Sequence, residues 1–250
     1  MTGLGVVTAL AAESRPLGAA SPWGGRQRER EPLTTLADGT LLVVSGVGGT
    51  AGARGAWRLV EAGARALLSW GMAGGLDPAL RAGALFLPGE VIAADGTVYA
   101  TSSEWRLALA GAAASWHPVT GGRLLTSVKV IGSIADKAIT FRRTGAAAVD
   151  MESGAVAEVA RAAALPFLAV RAIVDTAEDQ MPQAAIAAAG SSDVRISRLL
   201  AALARSPTDL PGILRLARRY RAASRSLAAV ARAGALVPPA LRAPAPTGPP

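Results

Sequence analysis

The hydrophobic pattern of residues 146–179 predicts a strand, a helix and a second strand. Residues 146–149 form a short apolar run, which is typical of a buried strand. Between 153 and 164, valine and alanine recur at helical spacing, and Pro166 ends this segment. Residues 167–174 are apolar and rich in β-branched side chains, which favours a strand. Two strands joined by a helix almost always run parallel, so we expect both to end at one edge of a sheet.

An acidic residue follows each of these strands. Glu152 stands just beyond the first strand, and Asp175 stands at the end of the second. Because open α/β sheets bind ligands at the carboxyl ends of their strands, we expect the two carboxylates to meet in one crevice. The alternative is that each acid only caps a helix, since acids stabilise helix N-termini.

The N-terminal half repeats the alternation of strands and helices. Glycines follow two of its predicted strands, at 46–50 and 71–75, where they would let backbone N–H groups approach an anion or a ribose. The whole pattern predicts a three-layer αβα domain around a twisted mixed sheet, followed by a helical extension. The predicted strands are residues 5–10, 41–45, 66–70, 85–93 and 124–131, and the predicted helices are residues 51–62 and 105–114.

The C-terminal segment differs from the rest of the chain in charge. Residues 196–250 contain nine arginines and one aspartate, which account for the whole net charge of +8. The remainder is neutral, so the basic balance does not indicate a nucleic-acid-binding core, and no nucleic-acid partner is expected. We divide the chain into an α/β domain (1–195), a basic helical extension (196–237) and a disordered proline-rich tail (238–250).

Within the extension, residues 208–232 predict an amphipathic helix, preceded by a short helix at 196–204. Thr208 or Asp209 can cap the longer helix, with Pro211 in its first turn. A basic amphipathic helix is typical either of a membrane surface or of a helix docked on the protein or on a second subunit. One arc of it carries Ile213, Leu216, Tyr220, Leu227 and Val230, and the opposite arc carries Arg215, Arg218, Arg219, Arg221, Arg225 and Arg232.

Composition narrows the class of protein. The chain has no cysteine, so we expect no disulfide and a cytoplasmic location. Its N-terminus lacks the features of a signal peptide, and no apolar window is long enough to span a bilayer. With one histidine, His117, and no cysteine, a zinc site is not expected. We expect Trp23, Trp57, Trp105 and Trp116 to pack in the interior, and Lys137, Arg142 and Arg143 to face water.

Two short strings carry a resemblance to a known family. The sequence VDMES at 149–153, followed by RAIVD at 171–175, resembles the signature of the nucleoside phosphorylase and nucleosidase superfamily. Within it, the chain is most similar to the hopanoid-associated phosphorylases, and this similarity extends to residues 199–225. The resemblance implies a nucleoside phosphorylase-like fold without metal or organic cofactor, with inorganic phosphate as a possible co-substrate, in a homo-oligomer.

The resemblance also implies roles for individual residues. Met151 and Glu152 would hold the ribose, and Asp175 would protonate N7 of the departing purine. A glutamate after the first strand activates the attacking water in the nucleosidase branch, and Glu13 occupies that place; the alternative is a solvated acid at the start of a helix. Cleavage of an N-glycosidic bond develops positive character on the sugar and negative charge on the base, which these carboxyl groups would serve. The apolar run before Asp175 would raise the pKa of its carboxyl group by burial.

The remaining candidate contacts depart from the family pattern. We expect Gly48, Gly74 and Val130 to line the nucleoside, although relatives often stack an aromatic residue on the base near Val130. Many relatives carry serine where Met72 stands, and the phosphorolytic ones often carry arginine where this chain has Leu68 and Ser69. A phosphate would therefore depend on the glycine loops and two nearby arginines, namely Gly46, Gly71, Arg15 and Arg54.

We expect an enzyme that cleaves the bond between adenine and a 5'-substituted ribose. The subfamily resemblance implies adenosylhopane as substrate, with adenine and a ribosylhopane phosphate as products, and contact with the inner membrane surface through residues 208–232. Hydrolysis of methylthioadenosine or adenosylhomocysteine is the alternative that Glu13 favours. A non-catalytic nucleoside- or lipid-binding protein is an alternative from another class, which the trio of Glu13, Glu152 and Asp175 disfavours.

Overall fold

The computed structural model describes residues 3–18, 33–114, 118–182, 186 and 210–242, and this part of the chain forms a mixed sheet of 11 strands. The strands are β1 Leu4–Thr8, β2 Leu33–Thr35, β3 Leu41–Val44, β4 Ala66–Gly75, β5 Leu85–Phe86, β6 Glu90–Ile92, β7 Val98–Ala100, β8 Val119–Thr120, β9 Arg123–Thr126, β10 Ala146–Asp150 and β11 Phe167–Asp175. The helices are α1 Ala11–Ser14, α2 Gly49–Glu61, α3 Ser103–Ala113, α4 Ile134–Thr144, α5 Ser153–Ala162 and α6 Leu210–Arg232, and Arg15–Leu17 and Pro239–Leu241 are short 3-10 helices.

Helices cover both faces of the sheet, which confirms the predicted three-layer fold. One face packs against α2 and α5, and the other packs against α3 and α6. Both layers use apolar side chains at helical spacing, as expected for helices that are apolar on one side. The buried residues are Ala56, Leu59, Val156 and Val159 on the first face and Trp105, Leu109, Leu227 and Val230 on the second.

The long strand β4 organises the sheet. It pairs in parallel with β1 over residues 66–70 and with β11 over residues 67–74. Its last two residues pair with β10 in the antiparallel sense. The segment 71–75, predicted to be a glycine loop, is therefore strand, because these two neighbours provide ladder partners for its backbone.

The predicted parallel arrangement of β10 and β11 is wrong. Each pairs with β4, but β11 runs parallel to it and β10 runs antiparallel to it. Strands joined by a helix run parallel when both belong to one regular parallel sheet. Here both β10 and β11 pair with the ten-residue β4 instead. Glu152, which follows β10, and Asp175, which ends β11, are therefore not placed at one edge by a common strand direction, and the small cavity that Glu152 lines is not lined by Asp175.

Four smaller predictions also need correction. Lys137 is 0% exposed rather than solvated, and Trp57 is 44% exposed rather than packed. The predicted strand 124–131 is strand only to Thr126. The predicted strand 85–93 divides into β5 and β6 around Pro88, whose ring nitrogen cannot donate to a ladder. Buried Trp105 and exposed Arg142 and Arg143 agree with the sequence predictions.

The C-terminal helix α6 docks on the body of the protein. Leu227 and Val230 are buried in the core, so this part of the apolar arc is not available to a bilayer. Ser226 Oγ donates a hydrogen bond to the Gly83 carbonyl oxygen at 2.6 Å. Most arginines of the opposite arc are exposed, but Arg219 forms an ion pair with Asp179. No helix in the described ranges is long and apolar enough to cross a membrane.

Residues that follow α6 remain attached to the domain. The Trp105 indole nitrogen donates to the Leu236 carbonyl oxygen at 2.9 Å, and Pro239–Leu241 is helical although the sequence placed it in a disordered tail. Other predictions fall outside the described residues. These concern Trp23, Trp116, His117, the short helix 196–204, the caps Thr208 and Asp209, and the tail from residue 243.

The docking of α6 predicts a large difference between two leucines of the same helix. Leu227→Ala removes a side chain that is 0% exposed and leaves a cavity, which should lower the free energy of unfolding by about 2 to 5 kcal/mol. Leu214→Ala is the matched control, because Leu214 is 52% exposed and its loss should change stability by less than about 0.5 kcal/mol. Urea unfolding measures both. Equal effects would show that α6 is not docked in solution.

Candidate active site

Glu13 lies in a buried position in α1, the short helix that follows β1. Its Oε2 accepts hydrogen bonds from Thr8 Oγ1 and from the Leu10 backbone N–H, both at 3.1 Å. Its Oε1 accepts from the Met72 N–H of β4 at 2.9 Å. Burial raises the pKa of the Glu13 carboxyl group, while the Arg171 guanidinium and these donors lower it. The predicted general base is thus a fixed, desolvated carboxyl group rather than a solvated helix-start residue.

Gly71 permits the close approach of Glu13 to β4. A Cβ atom on Gly71 would lie 2.8 Å from Glu13 Oε1, closer than side-chain contacts normally come. The glycine predicted to bind phosphate through its backbone has a different role here, since it makes room for the carboxyl group.

Glu152 stands at the start of α5 and reaches back to the loop before α2. Its Oε1 accepts a hydrogen bond from the Gly48 N–H at 2.7 Å. Gly48 has a φ of 100°, a conformation that favours glycine, and this conformation orients the N–H. Burial and the Asp150 carboxylate raise the pKa of Glu152 to about 7, against the lowering effects of the Gly48 N–H and Arg171. The side chain therefore changes charge near neutral pH.

A buried ion pair holds the strands around these two acids. Arg171 of β11 donates from Nε and Nη2 to Asp150 Oδ2 of β10, at 2.9 and 2.7 Å. Its Nη2 also donates to Ser69 Oγ of β4 at 2.6 Å and to Ser153 Oγ of α5 at 2.8 Å. One guanidinium group consequently joins three strands and the first turn of a helix.

Glu13, Glu152 and Arg171 line one small cavity, together with Ser69 and Met72. Its volume is about 10 Å³, close to the space that one water molecule requires. A larger groove of about 490 Å³ lies between β7 and the end of α5, but no carboxyl group lines it. We therefore assign the candidate active site to the small cavity, where the charged groups converge.

Asp175 lies at the end of β11, beside Gly74 of β4. A Cβ atom on Gly74 would lie 3.2 Å from Asp175 Oδ1. Its Oδ2 accepts a hydrogen bond from Lys137 Nζ, which reaches it from α4. Burial raises the pKa of the Asp175 carboxyl group, and the Lys137 ammonium opposes this effect.

Two of the three acids contact β4. Glu13 contacts Gly71 and Met72, whereas Asp175 contacts Gly74, three residues further along the strand. At about 3.3 Å per residue, the two contact points are about 10 Å apart.

Several predicted residues have a peripheral or different position. Arg15 and Arg54 are exposed, and neither lines the cavity of Glu13 and Glu152. Gly46 lies in the loop after β3, and Met151 is half-buried directly after β10. Val130 lies in the irregular segment beyond β9 rather than in a strand. Of the predicted phosphate-binding set, Gly71 lines this cavity, whereas Gly46, Arg15 and Arg54 do not.

Sequence reasoning missed four residues that position the acids. Thr8 donates to Glu13, while Ser69 and Arg171 join the strands, and Lys137 binds Asp175. Arg171 had a signal, because an arginine inside an apolar strand requires a buried partner. Lys137 had a weaker one, since it falls one helical turn before Phe141 on the side of α4 that faces the core.

The sequence matches a known family of enzymes. Residues 2–205 match the Phosphorylase superfamily, and the chain belongs to this family. The predicted class of enzyme, a nucleoside phosphorylase or N-ribosyl hydrolase, is thereby confirmed. No curated protein matches the sequence.

Solved structures of nucleosidases share the fold. A mutant 5'-methylthioadenosine/S-adenosylhomocysteine nucleosidase from Helicobacter pylori is 16% identical, with a TM-score of 0.63, and the match covers 91% of this chain and 96% of the other. The corresponding enzyme from Campylobacter jejuni is 18% identical, with a TM-score of 0.67 and coverages of 92% and 97%. The Neisseria meningitidis enzyme is 19% identical, with a TM-score of 0.62 and coverages of 91% and 97%.

The raised pKa of Glu152 predicts that this residue reduces stability above neutral pH. A carboxyl group whose pKa rises from 4.5 to about 7 on folding favours the folded state below pH 4.5, and this contribution is lost as pH increases to 7. Glu152→Gln removes the charge and retains an acceptor for Gly48. The variant should gain stability relative to wild type between pH 4.5 and 7, by no more than about 3 kcal/mol. Denaturant unfolding across this range measures the difference, and a constant difference would contradict the assignment.

Proposed function

We propose that this protein hydrolyses the N-glycosidic bond of a 5'-substituted adenosine. The observation that carries the proposal is the water-sized cavity bounded by Glu13, Glu152 and Arg171, with Asp175 at the end of β11 beside Gly74 of β4. Water and the departing base lie on opposite sides of the anomeric carbon, so the reaction needs a base on one side and an acid on the other.

Each carboxyl group suits one part of the reaction. Glu13, desolvated and held by three donors, would remove a proton from water in the cavity. Glu152 would accept hydrogen bonds from the ribose hydroxyls and stabilise positive character on the sugar. Asp175 would transfer its proton to the purine as the glycosidic electron pair moves to the base. Burial favours the protonated form of Asp175 and so prepares it for this step.

Water is a better match to the site than phosphate. A phosphate dianion needs cations, but the arginine that lines the cavity, Arg171, is already paired with Asp150. The more exposed Arg15 and Arg54 do not line it.

The proposed substrate class follows from the family and from bound ligands of structural neighbours. The H. pylori structure holds 5'-methylthioadenosine in its active site, and the N. meningitidis structure is a complex with methylthio-immucillin-A. Both ligands are nucleoside-like and carry a methylthio group. We infer an adenine nucleoside with a small or extended 5'-substituent for this chain.

The proposal predicts release of adenine without phosphate. With 5'-methylthioadenosine as the probe, the wild-type protein should release adenine in phosphate-free buffer, and added phosphate should not increase the rate. Chromatographic detection of adenine and of the sugar product measures both. Strict dependence on phosphate would show phosphorolysis, and absence of turnover with every adenine nucleoside would favour a binding protein.

Amide substitutions separate the roles of the acids. Asp175→Asn cannot protonate the base and should lower kcat by about 10² to 10⁴, without loss of the folded structure. Glu13→Gln cannot accept the proton of water and should lower kcat similarly. Glu178→Gln is the control, because Glu178 is an exposed acid three residues from Asp175. Near wild-type kcat in Asp175→Asn would exclude Asp175 as the acid.

Adenosylhopane phosphorolysis is a second candidate, and the exposed arginines of α6 favour it. Arg218, Arg221 and Arg225 are exposed on the side of α6 that does not face the body, where anionic lipid could attract them. A membrane lipid as substrate would require the enzyme to meet a bilayer. Because Leu227 and Val230 are buried, such contact would be electrostatic rather than inserted.

The lipid contact predicts binding to anionic vesicles that salt weakens. Replacement of Arg218 and Arg221 by glutamine should reduce co-sedimentation with anionic vesicles at low salt. The binding free energy should weaken by about 1 kcal/mol per arginine. Replacement of Arg142 and Arg143, which are exposed on α4, is a control with the same change in charge. Equal binding of both variants would assign any attraction to net charge alone.

A further inference from the structure

Lys137 is a buried cation whose hydrogen-bonding capacity is fully used. Its side chain is 0% exposed. Nζ donates to Asp175 Oδ2, to the Thr176 carbonyl oxygen at 2.8 Å and to the Asp179 carbonyl oxygen at 3.0 Å. An ammonium group has three N–H donors and no acceptor, so these three oxygens match the charged form. A neutral amine would leave one of them without a donor.

The contact divides the two oxygens of Asp175. Oδ2 accepts the hydrogen bond from Lys137, and in the described part of the chain no donor is bound to Oδ1, although both oxygens lie near Gly74 of β4. Oδ1 is thus the oxygen that is left to carry a proton to a bound base. The ammonium fixes which oxygen this is, since rotation of the carboxyl group would break the ion pair.

Other charged groups near Asp175 are less direct. Arg219 of α6 is paired with Asp179, whose Oδ2 also accepts from the N–H and Oγ1 of Thr176 at 2.8 Å each. Arg219 acts on Asp175 only through space. Lys137 is therefore the dominant partner of Asp175, with Arg219 and Asp179 forming a second pair behind it.

We propose that Lys137 is a positioning residue that orients Asp175 and stabilises the carboxylate formed when Asp175 protonates the leaving base. The catalytic part of this inference rests on the proposed function. In the step, the O–H bond at Oδ1 breaks, the proton binds to the purine, and the electron pair of the glycosidic bond moves to the base. The negative charge left on Asp175 is then paired with the Lys137 ammonium in a site with little water, where such pairing is most effective.

Substitution of Lys137 should change the titration of Asp175. An opposite charge in contact lowers the pKa of a carboxyl group by about 1 to 3 units, so Lys137→Met should raise the pKa of Asp175 by that amount. Carboxyl ¹³C NMR measures it without any substrate, with Asp175→Asn to assign the resonance. The basic limb of the pH profile of kcat/KM should move to higher pH by the same amount, and kcat should fall because orientation is lost.

Three further variants control this experiment. Lys129→Met removes the other lysine of the chain, which is exposed. It should shift neither the carboxyl resonance of Asp175 nor the basic limb of the pH profile of kcat/KM. Arg219→Gln should move both by less than Lys137→Met. Lys137→Gln replaces Lys137→Met if the latter does not fold, because its amide can still donate to the Thr176 and Asp179 carbonyl groups.

The outcomes distinguish this inference from the proposed function. In one outcome, the wild-type protein releases adenine, but Lys137→Met shifts neither the Asp175 resonance nor the basic limb of the pH profile. This outcome overturns the role of Lys137 and leaves the proposed function standing. A shifted resonance without adenine release by wild type overturns the proposed function and leaves the control of Asp175 by Lys137 standing. A shift of both, with lowered kcat, supports the whole inference.

Discussion

The ion pair between Arg171 and Asp150 is the contact on which the site depends. It joins β10 to β11 across their shared neighbour β4, and the same guanidinium binds serines of β4 and α5. Loss of one partner from a buried pair costs about 3 to 5 kcal/mol, because the other charge is left unpaired. Glu152 follows Asp150 by two residues, so the pair also determines where that carboxyl group stands.

A second constraint is the close approach of carboxyl groups to β4. Glu13 and Asp175 lie against Gly71 and Gly74, where an added Cβ atom would come within 2.8 Å of the first carboxyl group and 3.2 Å of the second. Burial raises the pKa of both acids and of Glu152, and desolvated acids weaken the folded state near and above neutral pH. The surrounding strands thus hold these carboxyl groups in a desolvated position that reduces the stability of the fold, as expected where acid–base chemistry takes place.

Helix α6 connects the basic extension to this site. Its apolar arc completes one face of the core, while Arg219 pairs with Asp179 next to the Lys137 contact. The helix therefore belongs to the fold that supports the acids, and its exposed arginines are the part left for a partner. Amphipathic pattern alone could not separate a docked helix from one on a membrane surface, because both bury one apolar face.

The sequence by itself determined the layers and the acids. Hydrophobic periodicity predicted β10, α5, β11 and α6 closely, and Glu152 and Asp175 were identifiable because each follows an apolar strand. The identity of Glu13 as a third acid required the family resemblance, since an acid at the start of a helix is common. Local pattern was sufficient here because strands and helices are set by residues near one another in the chain.

Only the tertiary structure decided how these parts meet. Glycine-rich 71–75 is strand because two distant strands pair with it. Of these two strands, β11 pairs with β4 in parallel and β10 pairs with it in the antiparallel sense. Lys137, expected to face water, is buried because the carboxyl group of Asp175 and two carbonyl groups lie within its reach. These features depend on contacts between segments that are far apart in sequence. Neither local periodicity nor composition predicts which buried charged groups will pair.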